Sequence, residues 1–173
     1  TLRVEGRPGD ALPFASYTRA VRQWLRHHPL ELPGWVKREL SRLDPSLSSE
    51  TPSNDTLRLS EAVTELLRLL GTRLLGVNLI DTNKLQTVVM DDLQFMDTAS
   101  FELSRYLLSN FVGSELRLLA SYRSGEVADE TSLMQFVQTG QAVLVDVKPL
   151  DSTMTSRLLE QIHISELKGL GAA

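Results

Sequence analysis

The chain has 173 residues and a mass of 19.3 kDa, with 18 Lys+Arg against 22 Asp+Glu, a formal net charge of −4 and 42% hydrophobic residues, the profile of one soluble domain with a sizeable core. The absence of cysteine excludes disulfides and thiolate metal sites, and His27, His28 and His163 lack the i, i+4 spacing of a helical zinc pair. No apolar run reaches the length of a membrane span, and a pI of 5.4 argues against a dedicated nucleic-acid binder, which together predict a cytoplasmic α or α/β domain that keeps clear of membranes.

The first residues already alternate as a strand, with Leu2 and Val4 flanking Arg3, before Gly6, Pro8 and Gly9 break it. From Pro13 the period becomes helical, and Phe14, Tyr17, Val21, Trp24 and Leu25 share one face. A short second helix is predicted over 35–43, followed by a polar Ser/Pro loop over 44–55. Asn54 or Asp55 is placed to cap a third helix, with Leu57, Ala62, Val63, Leu66, Leu67 and Leu70 as its buried stripe and Gly71 as its end. The second half alternates. Strands are predicted over 85–90 (LQTVVM), 116–122 (LRLLASY) and 142–147 (AVLVDV). Helices are predicted from Asp97 or Thr98 through Phe111, over 131–139, and over 153–162 with Met154, Leu158, Leu159 and Ile162 inward. Strands alternating with helices predict a parallel sheet covered by helices on both faces.

The strongest chemical signal is the pair Asp91-Asp92 directly after the buried run Val88-Val89-Met90. Ligands of open parallel sheets bind at the carboxyl ends of the strands, so two acids there stand where a metal–phosphate group is handled. In the Walker-B arrangement one carboxylate holds Mg²⁺ and the next acid orients or deprotonates the attacking water. Arg123, at the tip of the following strand, has the reach to sense a γ-phosphate. Each feature also has a plain structural use: acids where a chain emerges into solvent, a solvated arginine at a strand end, and Asp97 as a helix cap.

The segments VVMDDLQFMDTASFELSRYLL, LRLLASYRSGEV and VLVDVKPLDSTMTSRLL together resemble the STAND-type AAA ATPase domain of bacterial LuxR-type transcriptional regulators. VEGRPGDALPFASYTRAVRQWL is similar to the strand and helix that follow the phosphate-loop helix in that family. The resemblance runs from Thr1 to Ile162. It implies a P-loop NTPase-like α/β core over 1–150, with a helical lid beginning at 151–173. By position it assigns Asp91 to Mg²⁺, Asp92 to catalysis and Arg123 to sensing, all three in the ATP site. Gln94, Phe95 and Met96 stand where the family carries His, Trp and Ala.

The Walker-A loop, G-x-x-x-x-G-K-[ST], is absent: none of Lys37, Lys84, Lys148 and Lys168 follows a glycine or precedes Ser or Thr. The resemblance therefore implies an incomplete core, lacking the first strand and phosphate loop. A chain that starts inside a strand reads as a piece of a longer protein, or as one whose central slot is filled by another chain. Three functions follow. The first is an ATP- and Mg²⁺-dependent signal-transduction switch of a transcriptional regulator, inactive alone and flanked in its parent by regulatory domains. The second is a non-catalytic interaction or self-association module on an ATPase-like fold, using apolar helix residues that include Trp24 and Trp35. The third, direct DNA binding through Arg19, Arg22, Arg26, Lys37, Arg38 and Arg42, is blunted by the interspersed Glu31, Glu39 and Asp44 and shows no recognition helix. DNA binding by the parent is assigned to a domain outside this chain.

Overall fold

A computed structural model describes residues 2–28, 30–74, 86–110 and 116–161. The chain is α/β, built from a three-stranded parallel sheet and six α-helices among the described residues. It divides into two compact units, 1–136 and 137–173.

In the first unit, β1 (Leu2–Glu5), β2 (Gln86–Asp91) and β3 (Leu116–Ala120) lie side by side in that order. Leu2 aligns with Val88 and Val88 with Leu118, while Val4 aligns with Met90 and Met90 with Ala120. Because side chains alternate along a strand, this register puts Leu2, Val4, Val88 and Met90 on one face, where all four are buried. Helices α1 (Ala15–His27), α2 (Gly34–Leu40), α3 (Thr56–Leu74) and α4 (Thr98–Asn110) supply the rest of that core. Helix α1 lies against β1 and α4, and α3 lies between α2 and α4. Tyr17, Val36, Leu40, Leu59, Leu66 and Leu107 are each no more than 1% exposed, so the helical periodicity in the sequence does mark the core.

Several local devices fix these elements. Asp55 caps α3, its Oδ1 accepting the Leu57 amide at 2.8 Å. Glu39 is buried on α2, where its carboxylate accepts the Ser53 amide at 3.1 Å and hydroxyl at 2.9 Å and the Arg38 Nε at 3.3 Å. Burial pushes that carboxyl up, but the Ser53 and Arg38 hydrogen bonds outweigh it and hold it below its ordinary value. Asp10 is gripped end-on by Arg19, at 2.7 and 2.6 Å, and Arg19 also donates to the Glu5 carbonyl at 2.8 Å. This fork ties the 6–13 turn to both β1 and α1.

The structure departs from several expectations. Residues 142–147 form no strand: the run is irregular, with Val143 89%, Val145 73% and Val147 85% exposed. A strand needs a ladder partner as well as strand-forming residues, and this run has none among the described residues. Helix cover on both sheet faces is not seen among the described residues. The face opposite the core carries Arg3, Val89, Arg117 and Leu119, and Leu119 is 60% exposed. Leu57 lies on the exposed side of α3, where Leu59 takes the core position instead, and α3 runs through Gly71 to Leu74. In the second unit, Met154 and Leu158 on α6 (Ser152–Gln161) are exposed rather than inward. Phe111 and Ile162 lie outside the described residues. Helix α5 (Glu130–Gln138) follows expectation, and Leu133 is buried.

Candidate functional site

The carboxyl ends of all three strands meet in one hydrogen-bonded cluster. The Ser121 amide donates to the Met90 carbonyl at 2.9 Å, extending the β2–β3 ladder by one bond. The chain then turns inward at both strand ends. The Leu93 amide donates to the Ser121 carbonyl at 3.0 Å, and the Gly6 amide after β1 donates to the Asp91 carbonyl at 2.9 Å. Gly6 is required by this crowding: a Cβ there would stand 2.4 Å from the Asp92 carbonyl oxygen and 2.7 Å from the Met96 amide nitrogen, both backbone.

Asp91 ends β2 on the sheet face opposite the core. One carboxylate oxygen, Oδ1, accepts the Ser121 hydroxyl, and the other, Oδ2, accepts the Arg3 guanidinium from β1. The Ser121 hydrogen bond, aided by Arg3 and opposed by partial burial, holds the Asp91 carboxyl below its ordinary value. Asp91 is therefore an anion at neutral pH, with its side chain 26% exposed.

Asp92 follows in the left-handed region, at φ 55 and ψ 53. Aspartate tolerates that conformation better than bulkier residues do, and the turn aims the chain into a one-turn 3-10 helix, Leu93–Phe95. The Asp92 amide donates to the Ser121 Oγ at 3.1 Å, and its Oδ1 accepts the Gln94 side-chain amide at 2.9 Å. Gln94 in turn accepts the Arg123 amide at 3.1 Å. The Arg123 guanidinium lies 5.7 Å from the centre of the Phe95 ring and 3.7 Å from Glu126. Asp91, Asp92 and Arg123 thus belong to one cluster, linked through Ser121 and Gln94.

Asp97 has the structural use foreseen for it. Its Oδ1 caps α4 by accepting the Ser100 amide at 2.9 Å, and it also accepts the Phe14 amide at 2.8 Å. It belongs to the frame beneath the site.

Sequence reasoning missed Arg3, Ser121, Gln94 and Gly6 as parts of the cluster. Ser121 and Gln94 were legible only as neighbours of the acids, because the strand register decides which side chains face Asp91 and Asp92. Arg3 lies 88 positions from Asp91 in sequence and meets it only through the β1–β2 pairing.

No protein-family model, curated protein or solved structure matches the chain. Among the described residues no helix is long and apolar enough to cross a membrane, and no three acidic or histidine side chains cluster as a metal cage. Mg²⁺ does not require such a cage: it keeps several waters and takes one or two carboxylates. Asp91, anionic and partly exposed beside the Asp92 turn, fits that kind of site.

Proposed function

We propose that the chain is an ATP- and Mg²⁺-responsive switch module of a STAND-type, LuxR-like transcriptional regulator, built on a P-loop NTPase-like core. The observation that carries this reading is the joining of Asp91, Asp92 and Arg123 at the carboxyl ends of adjacent parallel strands, through Ser121 and Gln94. Asp91 would hold the cation, which supplies charge neutralisation to the phosphates. Asp92 orients or deprotonates the attacking water, and Arg123 reads the terminal phosphate through its guanidinium. The segment from 151 would begin the lid. With no Walker-A lysine in the 173 residues, the phosphate grip is missing, so binding is weak and the chain alone is inactive.

The test is amide NMR of the chain titrated with Mg·ATP. Shifts centred on Asp91, Asp92, Gln94, Ser121 and Arg123, with a dissociation constant of about 1 mM or weaker and lost in Asp91→Asn, are expected. Shifts elsewhere, or shifts indifferent to Asp91, would remove the reading.

A second reading, a non-catalytic interaction module on the same fold, is favoured by exposed apolar surface at Leu119 and at Val143, Val145 and Val147. It does not run through Trp24, which is half-buried and stacked on His28 with ring centres 4.5 Å apart.

A further inference from the structure

The chemistry proposed for the cluster leaves Gln94 without a task, yet its side chain is bonded at both ends. Its Nε2 donates to the Asp92 Oδ1 at 2.9 Å, and its Oε1 accepts the Arg123 amide at 3.1 Å. The two partners come from different connections, Asp92 from the turn that follows β2 and Arg123 from the turn that follows β3. In the second turn the Glu126 amide donates back to the Arg123 carbonyl at 3.1 Å, and the Gly125 amide donates to the Glu130 carboxylate at 3.0 Å, at the start of α5. The Arg123 turn is therefore tied forward to α5 and back, through Gln94, to Asp92. Its guanidinium rests against Glu126 and the Phe95 ring.

A glutamine gives up more rotamer freedom on being fixed than a single hydrogen bond returns. One partner therefore does not hold Gln94, and two partners do. The two bonds also strengthen each other, because donation to a carboxylate polarises the side-chain amide and makes its oxygen a better acceptor. We infer that Gln94 is a positioning residue that makes the placement of Arg123 conditional on Asp92, an inference that rests on reading this cluster as a nucleotide site. While the Asp92 Oδ1 is free to accept, Gln94 pins the Arg123 amide and the guanidinium stays on Phe95 and Glu126. A ligand that takes the Asp92 Oδ1 withdraws one of the two partners of Gln94. Gln94 then lets go of the amide, and the Arg123 turn is released together with its guanidinium.

The test reads the water-exchange rate of the Arg123 amide by NMR in the 173-residue chain. Asp92→Gly removes the carboxylate and keeps the left-handed turn, while Gln94→Met keeps the length of the side chain and loses both polar ends. Gln94→Met should speed exchange about fivefold, since it takes away the acceptor itself. Asp92→Gly should speed it about threefold, although the carboxylate lies one side chain removed from that amide, and should add nothing in the Gln94→Met background. A packing role for Gln94 would survive in methionine and would not respond to Asp92. Unchanged exchange in either single variant, or effects that add in the double variant, overturns the inference. No nucleotide enters this comparison, so its failure strikes the relay alone. With Mg·ATP added, the native chain should show the same acceleration and Gln94→Met none. Shifts at Asp91 and Asp92 that leave Arg123 exchange unchanged overturn the relay as well, whereas the lack of any such shifts strikes the ATP reading instead.

Discussion

Replacing Asp97 by alanine perturbs a junction that the whole first unit shares. The Asp97 Oδ1 accepts the Ser100 amide at 2.9 Å and the Phe14 amide at 2.8 Å, so one atom caps α4 and holds the entrance of α1. Phe14 sits in the left-handed region at φ 62, a conformation costly for a bulky residue and sustained only by its surroundings. Phe14 is 8% exposed, and its ring lies under the Arg42 guanidinium. Loss of the cap costs about 1 kcal/mol. Leaving the buried Phe14 amide without an acceptor costs about 1–3 kcal/mol more, for a total of roughly 2–4 kcal/mol. With a urea m-value of about 2 kcal/mol/M, the unfolding midpoint should fall by about 1–2 M. Fluorescence of Trp24 and Trp35 and far-UV circular dichroism both report it. Asp97→Asn keeps an oxygen at the same place and replaces a carboxylate whose Oδ2 is buried without a partner, so it should cost less than about 1 kcal/mol. A midpoint shift below about 0.5 M for alanine, or equal losses in the two variants, would refute the argument.

Gly6→Ala should destabilise by about 2 kcal/mol or more and move the amides of 92–96, because the new Cβ meets only backbone atoms that cannot swing away; unchanged amide positions would contradict the packing. Asp92→Asn should leave stability within about 0.5 kcal/mol, since asparagine also tolerates the left-handed turn, whereas Asp92→Val should cost at least about 1 kcal/mol; thermal melts separate the two. Stability should fall as the solution is acidified. Asp10, Asp91 and Glu39 all have lowered folded pKa values, so their contribution is complete above the unfolded value of about 4 and is lost as pH drops through the folded values. Asp10→Asn should flatten this acid limb, because the Arg19 hydrogen bonds that lower Asp10 no longer hold a titrating group; an acid limb unchanged in the variant would refute the assignment.

Much of the fold is local in origin and could be read from the chain. The stripes of α1, α3 and α4, the acid after β2 and the cap at Asp97 all follow from short-range period and chemistry. What could not be read depends on pairing. AVLVDV satisfies every sequence rule for a buried strand, yet strand formation is a property of two segments, and the ladder it needs is absent among the described residues. The same dependence hid Arg3. Alternation showed only that it faces away from Leu2 and Val4, and nothing in the sequence says that β1 lies beside β2 with Arg3 aligned to Val89. Leu57 and Leu59 illustrate the remaining limit, since a stripe read from spacing alone cannot choose between two leucines near a helix start.

The way Asp91 is held decides how readily the cluster could exchange one partner for another. Its two carboxylate oxygens have different attachments. The Ser121 hydroxyl comes from the end of the neighbouring strand and belongs to the same bonds that extend the sheet. Arg3 reaches in from a side chain 61% exposed, and exposed ion pairs contribute at most about 1 kcal/mol. A divalent cation held as proposed at Asp91 would therefore compete with a weak partner at Oδ2 and leave the Ser121 bond in place. Removing the competitor should favour the cation: Arg3→Ala is expected to tighten Mn²⁺ binding at Asp91 by up to about fivefold, the equivalent of roughly 1 kcal/mol. Paramagnetic broadening of the amides near Asp91 and Ser121 would measure it, with Asp91→Asn as the control that abolishes it. Binding weakened by Arg3→Ala would mean that Arg3 supports the anion's geometry instead of occupying the cation's place, and the competition argument would fall.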